Sequence, residues 1–119
     1  MADQLQLPDT AKIVTYDLTL LPRDWEGAYI WHLTVEWRDT APDGTDLWAV
    51  CWGGRCANRR GDWSPERSPS NRTERWLRTH RFGLAEAMKI ANRSLPKLTI
   101  NGLTAADVIA RHAATGDTV

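Results

Sequence analysis

Residues 48–63 read WAVCWGGRCANRRGDW, and the pair Gly53-Gly54 at their centre decides how the chain folds. Two runs of strand-forming residues meet at two glycines, and a two-residue hairpin turn needs positive φ at both central positions. Glycine supplies this without steric cost. The turn fixes a register in which Trp52 faces Arg55, Cys51 faces Cys56, Val50 faces Ala57 and Trp48 faces Arg59. The two cysteines then form a non-hydrogen-bonded pair with Cα atoms ~4.5 Å apart, near the short limit for a disulfide. A bridge there would close a loop that the turn already closes, so it would add little. A reducing compartment would also remove it. Cys51 and Cys56 are therefore expected as reduced neighbours that hold no metal.

Outward from this hairpin the same period of two continues. Val14, Tyr16, Leu18 and Leu20 alternate with polar residues over about 12–21. Tyr29, Trp31, Leu33, Val35 and Trp37 alternate with His32, Thr34, Glu36 and Arg38 over about 28–38. Such alternation marks half-buried strands. PRDWEG (22–27) and DTAPDGT (39–45) carry turn residues, and the hairpin strands span about 46–52 and 55–60. The segment 73–82 reads two ways: Asn71-x-x-Glu74 has capping-box form, while Arg75 to Phe82 also alternates like an edge strand. The strand is the favoured reading. From Leu84 the period turns helical, with Leu84, Ala87, Met88, Ala91 and Leu95 on one side, giving a helix at about 83–94 that Leu95-Pro96 ends. Thr104-x-x-Asp107 caps a short helix at about 105–112.

The expected architecture is α+β: an antiparallel sheet of four to five strands under one long and one short helix on one face. Residues 11–113 form one domain between flexible tails at 1–10 and 114–119. Trp31, Leu33, Val35 and Trp37 should be buried beneath Leu84, Met88 and Ala91.

Formal charge sums to zero, which gives no bias of the whole chain toward polyanions or acidic membranes. The charges are nevertheless segregated. Residues 1–54 carry three basic groups against nine acidic, whereas 55–81 carry eight arginines against Asp62, Glu66 and Glu74. Pairing between the two halves is the simpler explanation, and a polar partner-facing surface is the other. Arginine outnumbers lysine twelve to three, the bias of a GC-rich coding sequence. The start MADQLQLPDTAK has neither the basic nor the apolar part of a signal peptide. No apolar run approaches the ~18 residues that span a bilayer. A cytoplasmic location is expected, with no membrane association.

Motifs of reaction chemistry are sparse. Cys51 and Cys56 have C-x₄-C spacing, but lie on paired strands, and His32, His80 and His112 are scattered, which does not suit structural zinc. His32 and Glu36 share a strand face at roughly 13 Å by strand rise, too far apart to act as a dyad. No serine has the context of a nucleophile elbow, and Gly53-Gly54 has no phosphate-loop lysine behind it. Arg60-Gly61-Asp62 reads as a turn at a strand end rather than an adhesion motif. No catalytic residue, metal or cofactor is expected.

Seven tryptophans accompany a single Phe. Trp31, Trp37, Trp48 and Trp52 alternate inward, whereas Trp25, Trp63 and Trp76 lie in or beside loops among charges. Arginine with tryptophan dominates protein–protein hot spots, and also builds single-strand nucleic-acid platforms. The candidate partner-binding residues are Arg55, Arg59, Arg60, Trp63, Arg72 and Trp76.

Trp48-Ala49-Val50, the run Asn58 to Trp63, Pro69 to Arg72, and Arg81-Phe82 leading into Leu84 to Ala87 together resemble small actinobacteriophage proteins. In those, a WAV strand precedes an NRxGxW turn, a PSxR loop and an RFxLxEA helix start. The likeness covers about residues 46–93. It implies a phage or host origin and a strand before Phe82, but no site residues, because most members of that group have no assigned activity. The expected function is that of a non-catalytic accessory protein that binds a host protein, with a nucleic-acid-binding module using 55–81 as the alternative. Oligomeric state is not legible.

Overall fold

The computed structural model describes residues 11–25, 28 and 30–114. The expected tail at 1–10, all of the expected tail at 114–119 except Ala114, Glu26 and Gly27 of the expected turn, and Tyr29 lie outside the described residues. Five antiparallel strands follow one another across the sheet in chain order: β1 (Thr15–Thr19), β2 (His32–Thr40), β3 (Asp46–Trp52), β4 (Arg55–Ala57) and β5 (Trp63–Pro65). Three helices follow: α1 (Glu74–His80), α2 (Leu84–Ser94) and α3 (Ala105–Ala114). The α+β class expected from the pattern is the class observed.

The hairpin forms as its glycines require. Gly53 and Gly54 have φ of 56° and 78°, Trp52 pairs with Arg55, and Cys51 pairs with Cys56. Beyond that the expectation fails, because β4 ends at Ala57. Asn58 turns the chain by accepting the Arg60 and Asp62 amides on its Oδ1 at 2.9 and 3.0 Å. The chain returns as β5, a strand for which the sequence carries no period. Trp48 therefore faces Phe82 rather than Arg59, joined by backbone hydrogen bonds of 2.7 and 3.0 Å.

The favoured strand at 73–82 is a helix. The Thr73 hydroxyl accepts the Trp76 amide at 3.1 Å and caps α1, two residues after the proposed Asn71 cap. Trp76 and His80, four residues apart, both turn inward. A segment this short satisfies either period, and the cap decides. Only Phe82 keeps a bridge to the sheet.

On one side of the sheet Leu33, Val35, Trp48, Val50 and Ala57 pack against Phe82, Ala87, Ile90 and Ala91 of the α2 region. The other side is not left to solvent. Ala49, Cys51 and Cys56, which alternate with Trp48, Val50 and Ala57, are also buried, and α1 lies on their side, where His80 reaches Ser64 of β5. The helices thus cover both faces rather than one.

Trp37 is not a core residue. It is 40% exposed at the point where the β2–β3 register shifts between Trp37 and Asp39, and such a bulge re-aims side chains. Trp31 precedes β2 and joins a second cluster with Leu21, Ala28, Trp25, Ala105 and Val108. There its indole N–H donates to the Leu103 carbonyl at 3.3 Å, and Trp25 stacks on His112 at 4.4 Å. This cluster seats α3, and Ala114, expected in the tail, is its last residue.

Candidate functional site

The sheet face under α1 gathers an unusual density of charge. Strand alternation puts Thr34 and Glu36 on the side away from α2, and Arg38, at the bulge, joins them. The Arg38 guanidinium grips Glu66, just past β5, through Nε to Oε1 at 2.8 Å and Nη2 to Oε2 at 2.9 Å. Its Nη1 donates to Glu36 at 2.9 Å. A planar fork on a carboxylate is the strong form of ion pair. Glu66 also meets Arg81 at 3.2 Å and Arg72 at 3.5 Å, so one carboxylate serves three guanidinium groups.

Arg81 is the most enclosed of the three. Its side chain is 4% exposed, and it donates to the His80 carbonyl at 3.0 Å. Its guanidinium lies 5.0 Å from the Trp76 ring centre, and that of Arg72 lies at 5.9 Å. His80 stacks on the same ring at 4.4 Å. Such cation–π contacts stabilise most where water is excluded.

The charges respond accordingly. Hydrogen bonding from Arg38 holds the Glu66 carboxyl below its ordinary range, against burial and with help from the charges of Arg38, Arg81 and Arg72. Burial would raise Glu36, but the Thr34 hydroxyl and Arg38 outweigh it and the carboxyl is lowered. Burial pulls Arg81 down despite Glu66. Burial also pushes the Cys51 thiol up to about 12, although Arg38 Nη2 lies 3.4 Å from its sulfur. Cys56 is raised by burial as well. Both thiols are free, neighbouring and suppressed as nucleophiles.

Beside this cluster opens a cleft of about 350 Å³, lined by Arg38, Asp39, Leu47, Arg72, Leu77, Arg78 and Arg81. Leu47 and Leu77 give it apolar walls. The Arg78 guanidinium has no ion pair or hydrogen bond among the described residues. Counting Asp39 with the half-buried partners Glu36 and Glu66, three negative charges face four arginines, an excess of one positive charge.

The six residues singled out from the sequence do not form one site. Arg72 lines the cleft, and Trp76 lies behind it, buried at 7% rather than presented on a loop. Arg59 is on the α2 side, where it binds Glu86 at 2.9 and 3.2 Å and lies 5.6 Å from the Phe82 ring centre. Arg60 is exposed and meets Asp62 only at 3.5 Å. Arg55 is exposed at the glycine turn, and Trp63 is half-buried against Trp52 at 5.6 Å. Arg38, Glu66, Arg78 and Arg81 were not anticipated. Glu66 could have been noticed as a lone acid flanked by arginines, and Arg38 by its place on the polar strand face.

The supposed pairing of acidic and basic halves takes an unexpected form. Among the described residues, the ion pair joining them is Arg38 with Glu66, a base of the first half with an acid of the second. Among those residues, no pair couples an acid of the first half with an arginine of 55–81.

Ser64 and His80 are the nearest approach to a reactive pair, at 3.3 Å between Oγ and Nε2. The His80 Nδ1 lies 2.8 Å from the Trp76 carbonyl, which only accepts, so Nδ1 is the donor there and its proton points away from Ser64. This satisfies a buried ring stacked on Trp76, an arrangement that suits packing. His32 Nδ1 is buried with no hydrogen-bond partner. Among the described residues no group of three His, Cys, Asp or Glu is placed to hold a metal, and no helix is long and apolar enough to cross a membrane. Comparison with family models, curated proteins and solved structures gives no match.

Proposed function

We propose that this is a non-catalytic accessory protein, encoded by a phage, that binds a host protein through the arginine-lined cleft between the end of β2 and α1. The observation that carries the reading is the cleft itself: unpaired Arg78 and loosely held Arg72 beside Leu47 and Leu77, over an ion-pair floor. Arginine beside apolar surface, already ordered before contact, is the composition of an interface anchor. The resemblance to actinobacteriophage proteins supports the phage assignment. Of the residues expected at the interface, Arg72 makes the cleft contact with Trp76 as its support. Arg55, Arg60 and Trp63 serve a partner large enough to reach round the β5 edge. Arg59, committed to Glu86, contributes little.

A polynucleotide fits less well. Single-strand platforms need open aromatic faces, and Trp76 is covered by His80, Arg72 and Arg81. Affinity capture from an actinobacterial lysate, with and without nuclease and over a range of salt, is the test. One protein band that survives nuclease, with a shallow salt response, is expected. A nuclease-sensitive capture with steep linear loss against log salt would replace the protein partner with nucleic acid.

A further inference from the structure

We infer that the cleft receives an aspartate or glutamate side chain carried beside an aliphatic one on a segment of the partner protein; this rests on the protein-binding reading and names what the site grips. Four arginines against Asp39, Glu36 and Glu66 leave a single positive charge uncompensated. One carboxylate neutralises that excess, whereas a phosphate dianion reverses it.

Arg38 spends its three nitrogens on Glu66, Glu36 and the Cys51 sulfur. Arg81 spends both terminal nitrogens on Glu66 and the His80 carbonyl. These two are framework. Arg72 donates Nε to the Arg67 carbonyl at 2.7 Å but reaches Glu66 only at 3.5 Å, and the Arg78 guanidinium bonds nothing among the described residues. The receptive donors are therefore those of Arg72 and Arg78, and a guanidinium fork matches a carboxylate in plane and spacing.

Leu47 and Leu77 line the same cleft, whose volume of about 350 Å³ lies at the small end for ligand sites and admits a side chain or two. An acid next to an aliphatic residue uses both the donors and the walls. Glu66, tied to Arg38, keeps the framework arginines from closing over the cleft, so the site is ordered before the ligand arrives.

The test uses the ¹⁵N-labelled full chain and the peptide Ac-Leu-Glu-Ile-NH2. Amide shifts confined to 38–39, 47 and 72–81 are expected, with an affinity of about 1 mM. Ac-Leu-Gln-Ile-NH2 should bind about tenfold more weakly, since it lacks the charge that strengthens the contact. Arg78→Glu should abolish the shifts with melting unchanged, and Arg78→Gln should weaken them. Equal binding of the glutamine peptide would overturn the inference. So would the same shifts from inorganic phosphate or a short oligothymidylate at lower concentration, or no localised shifts with any probe. If the peptides show no carboxylate dependence while a protein is still captured in an Arg78-dependent way, this inference fails and the protein-binding reading stands. Capture of nucleic acid alone would remove both.

Discussion

Glu66 holds three guanidinium groups against the underside of the sheet, which makes it the most consequential single charge in the molecule. Its carboxyl, like that of Glu36, is held below the ordinary carboxylate range in the folded state. A depressed folded value gives stability that is present above the unfolded value of ~4.3 and lost as pH falls through the folded one. Unfolding free energy should therefore fall as pH drops below about 5. Glu66→Gln should lower stability at neutral pH by about 2–3 kcal/mol, as for hydrogen bonds to charged groups, and flatten that acid slope. Urea titrations of both proteins at several pH values measure it; an unchanged slope would mean that Glu66 is not the anchor. The cysteines give a second check. With Cys51 pushed up to about 12 and both thiols buried, a disulfide reagent at mildly alkaline pH should modify native protein more than ~100-fold more slowly than unfolded protein. Prompt reaction of the native thiols would put them at the surface.

At the scale of elements, α1 depends on its cap. Thr73→Ala removes the acceptor of the Trp76 amide and should cost about 1 kcal/mol, while displacing Arg78 and Arg81 together. Loss of peptide affinity with a small fall in melting temperature is expected. The tryptophans test the orientation of the sheet. Trp48, 5% exposed between Tyr16 and Phe82, should cost about 3–5 kcal/mol on replacement by alanine. Trp37→Ala should cost under ~1 kcal/mol, since a side chain that keeps much of its water contact loses little. The reverse order in thermal melts would turn the strand over. These pairs also show what the sequence could disclose. Gly53-Gly54 announced the hairpin because the backbone itself demands positive φ there, and α2 was legible from eleven residues of helical period. The β5 strand was not, because three residues carry no period, and Asn58 hid the turn that creates it. Trp37 misled because a bulge breaks alternation without altering it in the sequence. The segment at α1 fitted both periods, and only the contact of Thr73 with Trp76 distinguishes them.

For the molecule as a whole, zero net charge conceals a division of labour between two faces. The α2 side is an ordinary apolar core, with Arg59 and Glu86 at its rim. The α1 side is a floor of ion pairs with one positive charge to spare. Little of that cleft was legible in advance, because it is assembled from β2, β3 and α1, and only the fold brings Arg38 and Leu47 beside Arg72 and Arg78. The arginine-rich composition of 55–81 was visible; which arginines were already occupied was not. The comparison that isolates the claim is between two charge reversals on opposite faces, Arg78→Glu and Arg59→Glu, each assayed for melting temperature and for capture of the partner protein. Arg78→Glu is expected to lose the partner at unchanged melting temperature. Arg59→Glu, which breaks an exposed pair worth under ~1 kcal/mol, is expected to keep the partner and melt slightly lower. Retained capture by Arg78→Glu, with loss in Arg59→Glu, would place the working surface on the α2 side and rule out the cleft.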